Sequence, residues 1–391
     1  MPLYVPPAGA DPADLIEQLG ADIADVYNRL ELRLLKQVAK KLRAGRNTWT
    51  AADRARIIAE LRDYTQRLVA GLPDDLPAQV IAIAVEHGTV AAAAALDAAK
   101  IVHSKTVPTT TAMQHAVAAV QADLTNAFDQ VRSRILRYPV DELGNWLGAN
   151  GDIYQRTIAD TVTGPLMNAE VKESARRLAV RRFLDQGVTG FTDKAGRRWR
   201  IGTYAEMATR TAVTRAYTDA TVWQSQQAGI NLAQVVIGHT ACSHCGAWAG
   251  KTLSTDGTPA GDYQIPSMLG DGTVTVHVDG TVDEARAAGW QHPNCRCFLV
   301  PYIPGGTSTD TNLTRYDPDA EAARDKQRYL ERRVRDFKRR AATAEDDAEA
   351  TKWKRRARDE QARIRSHVAE HGLPRRSRRE QLWFSDGRAS A

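Results

Sequence analysis

Before Cys242 and after Cys297 the chain has no cysteine at all; its four cysteines are Cys242, Cys245, Cys295 and Cys297. A disulfide framework spread along the chain is therefore excluded, and the four thiols point to one local device. Aromatic residues are scarce (6%) while alanine is abundant, which suggests helices packed through small side chains. A long, clean apolar run is missing too. The most apolar stretch, Val80 to Ala99, is mostly alanine and carries Glu86, His87 and Asp97, so it is not expected to span a membrane. The first residues, Met1 to Pro7, have neither the basic region nor the apolar core of a secretory leader. The expectation is a protein without a membrane partner, made in a reducing cytoplasm. There, Cys-x-x-Cys and Cys-x-Cys pairs are more often metal ligands than disulfides.

What is present begins with length and charge. A chain of 391 residues exceeds one typical core, so two or three structural units are expected. The net charge of +6 is unevenly placed: from Asp319 to Ala391 there are about 21 Lys and Arg against about 14 Asp and Glu. The basic excess lies in the tail, and the preceding chain is close to neutral.

Periodicity predicts a helical first third. Asp11 followed by Pro12 reads as a cap and first helical residue. Leu15, Leu19, Ile23, Val26, Leu30, Leu34, Val38 and Leu42 then keep one apolar stripe until Gly45. A second helix opens at Thr50 and Asp53 and buries Ile57, Leu61, Tyr64 and Leu68; a third covers about Ala78 to Lys100; a fourth covers about Ala112 to Arg137. Between residues 151 and 306 the pattern is mixed. It predicts a helix from Asn168 to Leu184, a hairpin over Phe191 to Ile201, and a helix from Tyr204 to Gln227. Strands are expected at Leu232–Ile237, Thr273–Val278 and Phe298–Tyr302, with a capping box at Thr281-Val-Asp-Glu284. Residues 307–391 open with a loose linker and continue as two charged helices, read most simply as a hairpin. The fold class expected is mainly α with a smaller α+β module: an N-terminal helical region over 1–150, a central cysteine-bearing α+β domain over 151–306, and a basic helical tail over 307–391.

Cys242-Ser-His-Cys245 places two sulfurs on one short turn, and Cys295-Arg-Cys297 brings two more from a strand edge. Zn²⁺ takes four such ligands tetrahedrally, and a structural ion contributes on the order of 10 kcal/mol or more to folding. The expected metal set is Cys242, Cys245, Cys295 and Cys297 with His292 as a further ligand; His244 and His239 are spare donors. Disulfides, or four reduced thiols, are the alternatives. Catalytic readings have less support. His292-Pro-Asn294 beside Cys295 has the residue types of a thiol protease, but those groups must meet across a cleft rather than crowd one loop. The chain has no His-Glu-x-x-His and no His-x-Glu…Pro-Cys-x-x-Cys arrangement.

An ordered series of motifs resembles a known family. It comprises Asp193-Lys-Ala-Gly-Arg-Arg-Trp199, Tyr204-Ala-Glu-Met-Ala-Thr-Arg-Thr211, Cys242-Ser-His-Cys245 with Trp248, and Gly250-Lys-Thr-Leu-Ser254. Gly280-Thr-Val-Asp-Glu-Ala-Arg286, His292-Pro-Asn-Cys-Arg-Cys297, Gln327-Arg-Tyr-Leu-Glu-Arg332 and Lys338-Arg-Arg340 follow. Together they resemble the minor capsid (minor head) proteins of tailed double-stranded DNA phages, which are related to Mu-F-like head-morphogenesis proteins. The resemblance spans about residues 10 to 385. In that family the last position of the His-Pro-Asn-Cys-Arg-Cys run is often His. A metal site accepts that exchange and a disulfide does not, so the resemblance favours metal, completed by Cys297 or by His292. It implies a structural role without turnover: a low-copy virion protein at the portal vertex or capsid interior, built in during head assembly. The implied partners are the portal protein, the major capsid or scaffolding protein, and packaged double-stranded DNA.

The tail carries the candidate nucleic-acid contacts Arg332, Arg333, Arg335, Lys338, Arg339, Arg340, Arg355 and Arg356. Binding through such residues would be sequence-independent and would weaken steeply with salt. A solvated helix pair with internal ion pairs is the bland alternative. Rival functions are a zinc-containing cellular DNA-binding protein, a metal-dependent nuclease and an ADP-ribosyltransferase-like enzyme. Tyr204, Arg210 and Thr211 invite the last comparison, as residues suited to a sugar-phosphate. The residue order of an HNH nuclease is absent, as is the Ser-Thr-Ser and Glu-x-Glu pattern of a transferase.

Overall fold

The computed structural model describes residues 3–4, 6–7, 11–44, 51–104, 111–136, 191–192, 198–238, 241–306, 316–344 and 346–383. The helix expected over Asn168–Leu184, the hairpin turn at 193–197, the cap at Thr50, His239 and the linker at 307–315 lie outside these residues. The chain is mainly α with a smaller α+β part. Two compact units are each gathered from three stretches of chain: residues 1–22, 74–126 and 206–326 form one, and residues 23–73, 127–205 and 327–391 form the other. The three-part reading follows composition along the chain, whereas the compact units are discontinuous in sequence.

Four helices open the chain: α1 (Pro12–Ala44), α2 (Ala51–Ala70), α3 (Leu76–Ala98) and α4 (Thr111–Leu136). The start of α1 follows the sequence signal, with the Asp11 carboxylate accepting from the Ala13 N–H at 2.9 Å. Leu15, Leu19, Ile23, Leu30, Leu34 and Val38 are buried as the spacing predicts. Glu17, Asp22, Asp25 and Glu31 are buried as well, which the apolar stripe does not predict. A short antiparallel pair, β1 (Phe191–Thr192) and β2 (Arg198–Trp199), leads into α5 (Ile201–Gln227).

In the first unit α3 packs closely on α5. A Cβ at Gly88 would lie 2.3 Å from the Tyr217 carbonyl oxygen, and the Thr221 hydroxyl donates to the Gly88 carbonyl at 3.2 Å. By length and composition α3 is long and apolar enough to cross a membrane, contrary to the expectation from its alanine content. What the fold adds is a packed face: Val80, Ile81, Ala84, Gly88, Ala92 and Leu96 are buried.

A four-stranded sheet follows, in the order β7-β4-β3-β8, from β3 (Leu232–Val236), β4 (Thr252–Ser254), β7 (Gly280–Thr281) and β8 (Phe298–Pro301). The central strand β3 pairs antiparallel with both β4 and β8, and β4 pairs parallel with β7. Every residue of β3 is buried. A separate hairpin joins β5 (Gly261–Pro266) to β6 (Thr273–Val278), with Tyr263, Ile265, Val274, Val276 and Val278 packed towards Leu232 and Tyr302. Two short helices complete this module, α6 (Ser243–Gly246) and α7 (Val282–Ala287). The capping box at α7 forms as read: Thr281 Oγ1 accepts from the Glu284 N–H at 3.0 Å, and Glu284 accepts from the Thr281 N–H at 2.8 Å.

The tail helices are α8 (Pro318–Ala342) and α9 (Asp347–Glu370). In the second unit their apolar faces meet, with Phe337 stacked on Trp353 at 5.7 Å between ring centroids and Ala357 beside them. This is the helix hairpin that the spacing of Leu330, Val334, Phe337 and Trp353 predicts.

Candidate metal centre

Local backbone geometry explains how the four thiols converge. Cys242 adopts an extended conformation at the start of α6, and its carbonyl accepts from the Gly246 N–H at 2.8 Å. This tight turn carries Cys242 and Cys245 together. Gly246 is required there, because a Cβ would meet the Tyr316 ring at 2.5 Å. The second arm is a turn closed by Cys295 N–H donating to the His292 carbonyl at 2.9 Å. Gln291 and Asn294 take positive φ angles of 55° and 70° in it. Helix α5 holds this arm through hydroxyls on successive turns of one face. Thr211 Oγ1 accepts from the Asn294 N–H, Thr214 Oγ1 donates to the Cys295 carbonyl at 3.0 Å, and Thr218 Oγ1 accepts from Gln291 Nε2 at 2.7 Å. Cys297 then enters the β8 edge, and its N–H donates to the Cys295 sulfur at 3.3 Å.

The donors form two triads that share Cys245. Cys242, Cys245 and His292 have ligand atoms within 4.8 Å of one another, as do Cys245, Cys295 and Cys297. Cys245 Sγ lies 3.3 Å from Cys295 Sγ, and Cys242 Sγ lies 2.8 Å from His292 Nε2. Sulfurs on one tetrahedral Zn²⁺, at about 2.3 Å from the ion, stand roughly 3.8 Å apart, so these donors are gathered more tightly than a zinc cage holds them and would have to spread by about half an ångström to take an ion. All four cysteines are unbonded thiols, and Cys245, Cys295 and Cys297 are buried in the core beside Val235, Leu253, Trp290 and Leu299. His292 Nδ1 faces the Pro293 carbonyl at 2.8 Å; an N–H there leaves Nε2 as the donor atom, the arrangement that orients a metal-binding imidazole.

The thiols and the imidazole shift one another's titration. Contact with Cys245, then with His292, brings the Cys242 thiol down to about 3, while Cys242 raises His292 to about 9. Contact with Cys245 and then Cys297 lowers Cys295, whereas Cys245 is pushed up by Cys242, Cys295 and Cys297. For Cys297 the pull of Cys245 is outweighed by Cys295 and burial, and the thiol rises. Sulfurs in mutual contact cannot all carry charge unless a positive ion lies among them, and a bound divalent ion deprotonates them all.

Reading the residues alone misses the anchors around this centre. Arg296, between Cys295 and Cys297, pairs with the fully buried Glu17 at 3.1 Å; Arg210 pairs with Glu17 at 2.9 Å and with Glu206 at 2.5 Å. Arg210, which invited the transferase comparison, is thus engaged in an internal network. The available signal was an arginine flanked by two presumed ligands, with its acidic partner far away in sequence.

The predicted nucleic-acid residues divide into two sets within the second unit. Arg335 and Arg339 are buried, and Arg335 donates to the Arg379 carbonyl. Burial, then Arg200, brings Arg339 down to about 10. Arg333 pairs with Glu360 at 2.8 Å, Arg340 pairs with Asp336 at 2.9 Å, and Lys338 donates to Gln381 at 2.5 Å. Arg332, Arg355 and Arg356 are exposed, and α9 adds exposed Lys352, Lys354 and Arg358 around them.

With this geometry in place, the comparison with protein families is decisive. The family model for phage minor capsid protein 2 matches residues 12–369. The chain belongs to that family. A protein of Lactococcus phage LL-H named "Structural protein" is 30% identical over 209 residues, which are 50% of this chain and 52% of that protein. The chain therefore spans about half the length of the curated relative it matches. No solved structure matches. The minor capsid family match runs through both compact units and includes the cysteine centre and both tail helices.

Proposed function

We propose that this chain is a non-enzymatic, low-copy component of a tailed-phage head, incorporated during assembly at the portal vertex or inside the capsid. Its partners would be the portal protein, the major capsid or scaffolding protein and packaged DNA. The observation that carries this reading is the minor capsid family match over residues 12–369. The site agrees with a fastening role. Its donors are thiols and an imidazole on two backbone turns, one of them pinned to α5, and among the described residues no carboxylate joins them.

In this reading Zn²⁺ held by Cys242, Cys245 and Cys295, with Cys297 or His292 completing the set, clamps the α6 turn to the β8 edge. The bound ion would supply a structural cross-link. The exposed basic side of α9, from Lys352 to Arg358, is the surface offered to phosphate, and the buried Arg335 and Arg339 hold the tail together.

Quantitative peptide mass spectrometry of purified DNA-filled heads tests the proposal. This chain should be present at a few copies per particle, at a constant ratio to the portal protein. Its absence from intact particles, or turnover of a substrate by the purified chain, would refute the reading.

A further inference from the structure

We infer a second divalent-metal site, independent of the cysteine centre, at the C-terminal end of α9. His367-Val-Ala-Glu370-His371 places two imidazoles and a carboxylate at i, i+3 and i+4, on one side of the last helical turn. The three ligand atoms lie within 4.8 Å of one another. The two rings are 4.5 Å apart between centroids, and the Glu370 carboxylate lies 3.9 Å from His371 Nε2.

The helix terminus fixes this spacing. His371 N–H donates to the His367 carbonyl at 3.2 Å, Leu373 N–H returns to the Val368 carbonyl at 3.0 Å, and Gly372 leaves the helix with φ of 62°. His367 is buried while Glu370 and His371 are exposed, so the donors open at the protein edge. The partial negative charge of the final carbonyls also favours a cation there.

Two imidazoles and one carboxylate select borderline ions such as Zn²⁺, Co²⁺ or Ni²⁺ over Ca²⁺ or Mg²⁺. No fourth donor joins the cluster among the described residues, so water or an outside donor would fill the remaining positions. The order His-x-x-Glu-His also occurs in inverted zinc peptidases, where the glutamate serves as base. Here the Glu370 carboxylate lies 3.9 Å from His371 Nε2 and within 4.8 Å of the His367 donor atom, so it is assigned as the third ligand. Helix α9 is already fixed by the Trp353 stack and by the Asp346 cap, so this ion is not needed for folding.

The test is a Co²⁺ titration of the full chain with its cysteine centre preloaded with Zn²⁺, followed by calorimetry and absorbance. One further equivalent should bind without a thiolate charge-transfer band. H371A and, separately, the isosteric E370Q should each weaken it by about tenfold or more, with unchanged circular dichroism. No further equivalent, or one that both variants retain at full affinity, would overturn the assignment.

Discussion

The guanidinium of Arg296, flanked in sequence by Cys295 and Cys297, meets the carboxylate of Glu17 at 3.1 Å, and that carboxylate is completely shielded from solvent. Glu17 also receives Arg210 from α5 at 2.9 Å. The loop that carries two thiols is thereby tied to the first turns of α1 and to the helix whose threonines hold the same loop. Removing one partner of a buried pair leaves an uncompensated charge, which costs about 3–5 kcal/mol. Glu17→Ala should therefore lower stability by roughly that amount in urea unfolding. Arg296→Ala should cost less, because its side chain is partly exposed. A destabilisation below about 1 kcal/mol for Glu17→Ala would place this network among the weak surface pairs.

The contact between α3 and α5 makes a second prediction. Gly88→Ala puts a methyl group 2.3 Å from the Tyr217 carbonyl oxygen and 3.0 Å from the Ala220 side chain, so the helices must separate. Overpacking of this kind costs about 1–3 kcal/mol. Gly238→Ala, where a Cβ meets nothing within 4 Å, is the matched control and should be close to neutral. Thermal unfolding of the two variants side by side measures the difference.

On the exposed side of the β5–β6 hairpin, His277 Nδ1 meets the Asp262 carboxylate at 2.7 Å, and this hydrogen bond raises the imidazole above its ordinary 6.5. A raised folded-state value means that the pairing stabilises the hairpin fully below about 6.5 and that this contribution fades as pH rises through the folded value. Both groups are exposed, so the global effect on stability is small. NMR titration of His277 should give a midpoint above that of a model histidine, and Asp262→Asn should bring it back. Equal midpoints in both proteins would contradict the pairing.

For the tail, neutralising Lys354, Arg355 and Arg358 together should weaken retention on double-stranded DNA. It should also flatten the salt dependence, by about one unit of slope for each phosphate no longer neutralised. Arg339→Ala should instead act on stability, since that side chain is buried. Salt-gradient elution from immobilised DNA separates the two effects. Unchanged elution of the triple variant would remove α9 as the DNA-facing surface.

Much of the architecture was legible because it depends on local signals. The Asp11-Pro12 start, the capping box at Thr281 and Glu284, and the pairing of the Phe337 and Trp353 stripes all require only spacing and cap chemistry. The β5 strand was less visible: its alternation of Tyr263 and Ile265 with exposed residues is short and ends at Pro266. The buried acids of α1 were not legible, because an acidic residue beside an apolar stripe reads as solvent-facing until its distant partner is known. For the same reason the cysteines could be grouped from sequence while Glu17, Arg210 and the α5 threonines around them could not. The basic run at Arg332–Arg340 looked uniform, and only folding divides it into buried struts and exposed cations.

The claim on which the rest depends is that the two cysteine arms grip one ion. The direct measurement is metal content of the reductively purified full chain at the cysteine centre, with the α9 cluster disabled by H371A. One Zn²⁺ per chain is expected, and C245S, the variant that removes the sulfur shared by both triads, should lack both the ion and the thermal stability it confers. Metal-free protein of full stability, or zinc retained in C245S, would contradict the account.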